Sequence, residues 1–202
     1  MDEFQVLKPT DKRLRMVCEP VSQNELRSKV FQQLIEIMLD FVYGTNSKGE
    51  SRKRDQAMTV GLSANQIGIL KRISVVDLAI GHKDFSDLHV LINPEIIWSS
   101  KGTIERNEGC VNLDNIWGYV TRSKRVKVRA LDRSGNKIEL DLKGWAAVLL
   151  QHEIDHLQGK LFIDHLQDPT QAHLVEAADY RLHKNLKKDW KKFVDVSELI
   201  RH

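Results

Sequence analysis

His152, Glu153 and His156 stand in the run Leu150-Gln151-His152-Glu153-Ile154-Asp155-His156-Leu157, and their spacing suits metal chemistry. Two histidines four residues apart on a helix lie within about 40° of each other, so both imidazoles can reach one ion. Glu153 follows the first of them directly and projects beside the pair. There a carboxylate can exchange a proton with water without occupying a coordination position. Charged helices with solvent-facing histidines show the same spacing, so the helix alone leaves both readings open. Cys110, in Asn107-Glu108-Gly109-Cys110-Val111-Asn112, offers a third ligand, because catalytic zinc-type centres use three protein ligands and keep a fourth position free. Gly109 allows the sharp backbone turn that would bring the sulfur to the ion. Taken alone, Cys110 could equally be a small buried hydrophobe.

The ligand type decides what such an ion could do. A thiolate and two neutral imidazoles leave a divalent ion with one net positive charge, enough to lower the pKa of a bound water toward neutrality. Glu153 is then the expected proton carrier, from the water to a leaving amine. Trp145, Val148 and Leu149 precede His152 by seven, four and three positions, on the face that carries both ligands, so they are expected to line an apolar pocket. Plain core residues share that pattern. A ring as large as that of Trp145 would shorten the pocket.

These residues need elements to hold them. Leu26, Val30, Phe31, Leu34, Ile37, Met38 and Phe41 recur at helical spacing, with Ser22 and Glu25 as a capping box, and predict an amphipathic helix that covers a sheet. Residues 43–57 are polar and glycine-containing and read as a loop. Ile73 to Val76 and Val90 to Ile92 are strand-like, while Val126 to Leu131 and Ile138 to Leu142 flank the turn signal Asp132-Arg133-Ser134-Gly135-Asn136. A helix from about Gly144 should carry the histidines and stop at Gly159, and Asp168-Pro169 should cap a last helix. Strands grouped between helices predict an α+β fold: antiparallel sheets around a central helix, with an N-terminal amphipathic helix and a C-terminal helix. One domain is expected over 1–168, with 43–57 as an insertion, followed by a basic helix and tail over 169–202.

With 202 residues, 41% hydrophobic and 29% charged, the chain can bury one substantial core as a soluble protein. No apolar run of about 20 residues is present to span a membrane, and the N-terminus lacks a signal-peptide pattern. A cytoplasmic protein without membrane partners is therefore expected, and a monomer. In that reducing compartment Cys18 and Cys110 should remain unpaired, with Cys18 in the core. The net charge of +3 does not itself point to nucleic acid. Arg181, His183, Lys184, Lys187, Lys188, Lys191 and Lys192 nevertheless concentrate positive charge near the C-terminus, either as a solvated helix face or as a surface that seeks phosphates.

Val60-Gly61-Leu62-Ser63-Ala64-Asn65-Gln66-Ile67-Gly68, Glu108-Gly109-Cys110 and Gln151-His152-Glu153-Ile154-Asp155-His156, in this order, resemble the three signature motifs of the peptide deformylases. Further similarity runs through Arg13-Leu14-Arg15, Leu91 to Glu95, Val126 to Asp132 and Gly159 to Phe162, from about residue 5 to about residue 168. The resemblance implies removal of the formyl group from the N-formyl-methionyl end of new proteins, with release of formate. It implies Cys110, His152 and His156 as metal ligands, Glu153 as acid and base, and the Gln66 side-chain amide with the Val111 backbone N–H as oxyanion donors. Val60 and Gly61 would line the substrate cleft. Fe2+ is the implied native ion, Zn2+ a plausible substitute, and the ribosome a possible contact for the C-terminal helix. The sequence departs from the family pattern at Thr59, where glycine is usual, at Ser63 in place of alanine, and at Val111 and Asn112 in place of leucine and serine. Two rival readings remain open: a divergent metal amidase with another small N-acyl substrate, and a ribosome-associated binding protein with a structural metal.

Overall fold

The computed structural model describes residues 5–42, 59–79, 87–175 and 192–200. The expected loop at 43–57 and all of the basic cluster except Lys192 lie outside the described residues.

The N-terminal helical run is divided. Helix α1 (Gln23–Arg27) starts at Ser22, whose hydroxyl accepts from the Glu25 N–H while the Glu25 carboxylate accepts from the Ser22 N–H, completing the expected capping box. Ser28 then leaves the helical region (ψ 144), and its hydroxyl donates to the Glu25 carbonyl and accepts from the Phe31 N–H. That local bonding ends one helix and caps the next, α2 (Lys29–Val42). The break resets the helical phase. Phe31, Leu34, Ile35, Met38 and Val42 are buried, whereas Val30, expected on the same stripe, is 77% exposed.

All strand pairs in the two sheets are antiparallel. The first sheet has the order β1 (Gly61–Ser63), β2 (Ile73–Asp77), β3 (Leu88–Ser99), β6 (Arg125–Leu131) and β7 (Lys137–Lys143). In β6 the buried Val126, Val128 and Ala130 alternate with exposed Arg125, Lys127 and Arg129, as a strand with one wet face requires. The β6–β7 hairpin closes where expected, at a turn in which Asp132 Oδ1 accepts from the Ser134 and Asn136 N–H groups. The second sheet has the order β4 (Thr103–Gly109), β5 (Ile116–Ser123), β8 (Ala172–Leu174) and β9 (Phe193–Val194).

Helix α3 (Trp145–Leu157) packs against both sheets and carries the two histidines. It stops before Gly159, which has φ 71 and lies against the Arg15 backbone so closely that a side chain could not fit. One apolar core lies between α2 and β1 to β3, a second between α3 and the first sheet, and a third around Leu113, Val120, Phe162 and Ala172. Cys18 is buried and both cysteines are free.

Downstream of Asp168 the structure differs from the expected helix. Asp168 does accept from the Thr170 N–H and Pro169 does hold the first position, but they begin a single 3-10 turn, Pro169–Gln171. Ala172 then enters β8 against β5, and Val196 returns to the third core. Burial of Ala172 and sheet pairing override the cap signal there. A short helix, α4 (Ser197–Ile200), ends the described chain.

Candidate metal centre

Helix α3 brings His152 and His156 onto one face, and the end of β4 delivers Cys110 opposite them. Cys110 Sγ lies 3.4 Å from His156 Nε2, the two imidazole Nε2 atoms are 3.2 Å apart, and the ligand atoms of all three residues fall within 4.8 Å of one another. A tetrahedral ion with ordinary zinc-type bond lengths spaces nitrogen ligands about 3.3 Å apart and sulfur from nitrogen about 3.6 Å. Cys110, His152 and His156 therefore fit a divalent ion both in donor chemistry and in spacing. Burial opposes charge on His152, yet its contacts with Cys110 and the Glu108 carboxylate outweigh burial and raise its pKa to about 10. His156 behaves oppositely: burial and the neighbouring His152 drive its pKa far below the usual imidazole value. Its Nδ1 is buried without a partner.

Behind the ligands runs a chain of buried charge. His152 Nδ1 is 2.8 Å from Glu108 Oε2, and Arg122 donates through Nε and Nη2 to both oxygens of Glu108, at 2.5 and 2.9 Å. Arg122 Nη1 also donates to Asp155 Oδ2 at 2.6 Å, which faces His165 Nε2 at 2.8 Å. Burial tends to raise the Glu108 and Asp155 pKa values, but their partners outweigh it, holding Glu108 below the usual range and Asp155 at about 2. Such outer partners orient a ligating imidazole and fix its tautomer. Glu108 and Asp155 stand within the sequence motifs, which give neither of them a role, and Arg122 stands in none. Only the register of β4 on β5 and the turn of α3 make them neighbours, so local spacing carried no signal.

Glu153 is almost wholly buried, and burial raises its pKa. Its carboxylate lies over Gly61, where a Cβ would collide with Oε1 and stand 2.9 Å from Cδ. Gln66 sits in the 3-10 turn Ala64–Ile67. Its Oε1 accepts from the Ser63 N–H at 2.6 Å, and its Nε2 donates to Asn112 Oδ1 at 3.0 Å and approaches Cys110 Sγ at 3.3 Å. Asn112 braces the arrangement, since its Nδ2 donates to the Gln66 and Leu7 carbonyls. That bracing was not foreseen from the sequence.

A cavity of about 590 Å³ opens onto this centre, lined by Val60, Gly61, Gln66, Cys110, Val111, Trp145, Val148, Leu149, His152 and Glu153. The structure thus places all the sequence-predicted site residues around one space except His156, which is fully buried beside it. Thr59 also lines the cavity and has no positive φ, so a β-branched residue fits where glycine is usual. Its hydroxyl donates to the Gly61 carbonyl at 2.9 Å.

An α+β scaffold with a Cys-His-His cluster and a buried carboxylate at the floor of a cleft has the make-up of a metallohydrolase. Comparison with known proteins narrows the class. A family model described as Polypeptide deformylase matches residues 4–172. The chain is 36% identical over 169 residues to Peptide deformylase 1 of Burkholderia multivorans, covering 84% of this chain and 83% of that protein. It is similar to the crystal structure of a peptide deformylase from Legionella pneumophila, with TM-score 0.67, 39% identity and coverage of 81% and 85% of the two chains. A class I type b peptide deformylase from Acinetobacter baumannii, solved with Met-Ala-Ser bound, gives TM-score 0.68 and 30% identity, covering 81% and 98%. The chain belongs to the polypeptide deformylase family, a family of enzymes. Among the described residues no helix is long and apolar enough to cross a membrane.

Proposed function

We propose that this enzyme hydrolyses the N-formyl group from the N-terminal methionine of newly made proteins, in a metal-dependent reaction that releases formate. The observation that carries the reading is the compact Cys110, His152 and His156 triangle at the floor of a cavity, with the Glu153 carboxylate beside it. Cys110, His152 and His156 would hold a divalent ion, which when bound would supply Lewis acidity toward a water molecule. Glu153 takes a proton from that water and passes it to the departing amine. Gln66 Nε2 and the Val111 backbone N–H donate to the oxygen of the formyl group as charge develops on it. The orientation of Gln66 supports this role, because the Ser63 N–H occupies its Oε1 and leaves its N–H groups toward Cys110 and Asn112. Val60 and Gly61 flank the peptide, while Trp145, Val148 and Leu149 receive the methionine side chain. A tight fit beside the ligands would admit a formyl group and exclude the extra methyl of acetyl by overpacking.

Fe2+ is the proposed resident ion and Zn2+ its substitute, since a thiolate with two imidazoles accommodates either. Formate release from formyl-Met-Ala-Ser, measured with iron, with zinc and with a chelator, tests the reading. Chelation should abolish release, and Glu153→Ala should lower it by about 10²- to 10⁴-fold with the metal retained. Release that survives either treatment would remove this function. A purely structural metal would leave Glu153 without a chemical role.

A further inference from the structure

Strand β1 offers Gly61 and Ser63 to the same side, two residues apart. Both meet Glu153 of α3. Gly61 has no side chain under Oε1, and Ser63 Oγ lies 2.7 Å from Oε2. The two carboxylate oxygens therefore have different surroundings. Oε1 is beside Gly61 in the cavity wall, and Oε2 points to the interior against a hydroxyl that is fully buried. Ser63 Oγ is also 2.7 Å from Ser74 Oγ, its partner across the β1–β2 ladder, and 2.9 Å from the Glu153 carbonyl.

The proton count favours one arrangement. Ser63 has a single hydroxyl proton and three neighbouring oxygens. The Glu153 carbonyl is a neutral acceptor, whereas an ionised Oε2 draws the stronger, charge-assisted bond. Ser74 then donates to Ser63, so the hydroxyls form a directed pair ending on the carboxylate. Mutual polarisation along such a chain strengthens its terminal bond.

We infer that Ser63 is a positioning residue for the hydrolysis: its hydroxyl, supported by Ser74, fixes Glu153 Oε2 and so commits Oε1, the oxygen beside Gly61, to proton transfer. This rests on the function proposed above, in which Glu153 carries the proton. A carboxylate free to rotate about its last bond would spend part of its time with neither oxygen aligned to the reacting water, which lowers turnover without weakening peptide binding.

The test compares wild type, Ser63→Ala, Ser63→Cys, Ser74→Ala, Glu153→Ala and the Ser63→Ala/Glu153→Ala double variant on formyl-Met-Ala-Ser, with metal content and melting temperature measured for each. Ser63→Ala should lower kcat about 10-fold and leave KM and metal content unchanged. Ser63→Cys, with a weak donor of similar size, should fall between it and wild type, and Ser74→Ala should lose about 2- to 3-fold. In the Glu153→Ala background, Ser63→Ala should have no further effect, because the group it positions is gone. A crystal structure of Ser63→Ala should show the Glu153 carboxylate rotated or spread over more than one rotamer. Wild-type kcat in Ser63→Ala with an unmoved carboxylate would overturn the inference, as would an equal loss in both backgrounds, which would mark Ser63 as scaffold. Wild type without formate release would refute the function itself and the inference with it, whereas an active wild type alongside an unaffected Ser63→Ala would refute the inference alone.

Discussion

The two sheets are held by different forces. The five-stranded sheet has apolar cores on its faces, with Ile73, Val75, Leu91, Ile92, Val126 and Val128 essentially inaccessible. The four-stranded sheet has a smaller core, and its attachment to α3 near the ligands passes through Glu108 and Arg122, both about 95% buried, and on to Asp155 and His152. Hydrophobic packing tolerates small errors in position, because it is proportional to area and has no direction. A metal centre does not. The half of the molecule that must place Cys110 against His152 to within a few tenths of an ångström is built from directional, charge-assisted bonds, which fix orientation as well as distance.

The largest effect that distinguishes the two halves should come from Arg122→Met. It leaves buried carboxylates with their main cation removed, at a cost of about 3–5 kcal/mol, and loosens the Glu108 that orients His152. Metal affinity should fall about 10- to 100-fold as well. Leu91→Ala in the other sheet should destabilise comparably, by about 2–5 kcal/mol, but leave affinity intact. Urea unfolding and zinc titration of both variants make the comparison. Equal losses of affinity would show that the charge network does not position the ligands.

The same division explains what was legible in the sequence. Strands β2, β3, β6 and β7 are visible because burial on one or both faces forces β-branched runs or strict alternation, as in Val126, Val128 and Ala130. Strands β4 and β5 give no such pattern, because Thr-Ile-Glu-Arg-Asn-Glu-Gly and Ile-Trp-Gly-Tyr-Val-Thr-Arg-Ser give their buried positions to Glu108, Gly118 and Arg122, with Val120 alone as a buried hydrophobe. Chemistry displaced the pattern that reveals a strand. The site itself was legible where one helix carries several of its residues. His152, Glu153, Trp145, Val148 and Leu149 follow from helical spacing alone, whereas Ser63, Asn112 and Arg122 depend on partners 30 to 90 positions away in the chain. Proposing Cys110 needed only ligand chemistry, but placing it needed the fold.

Trp145 tests where the apolar half reaches into the site. Its ring is half-buried at the start of α3 and lines the cavity with Val148 and Leu149. If it closes the methionine pocket, Trp145→Ala should shift the kcat/KM ratio of formyl-Met to formyl-norvaline peptides by up to about 10-fold, the scale of one methylene in an apolar pocket. Metal content should be unaffected, since Trp145 is none of the three proposed ligands. An unchanged ratio would make Trp145 part of the core and nothing more.

The smallest effect belongs to an ion pair of the same chemistry as Arg122 and Glu108 but on the outside of the apolar half. Glu25 accepts from Lys71 Nζ at 2.6 Å and, through its other oxygen, from the Ser22 N–H and hydroxyl at 2.8 Å. The Lys71 ammonium first, and the Ser22 donors second, lower its pKa from 4.5 to about 2. A carboxylate depressed in the folded state contributes stability above its unfolded pKa, and that contribution fades as pH falls through the folded value. Glu25→Gln should therefore be less stable than wild type at pH 7, with the gap narrowing below pH 4.5 and closing near pH 2. Solvent screens this pair, so the gap should be small and shrink further in salt. Thermal melting at several pH values and ionic strengths measures it. A large, salt-insensitive gap would mean that exposure does not separate the two ion pairs, and that the buried network holds the second sheet for some reason other than its burial.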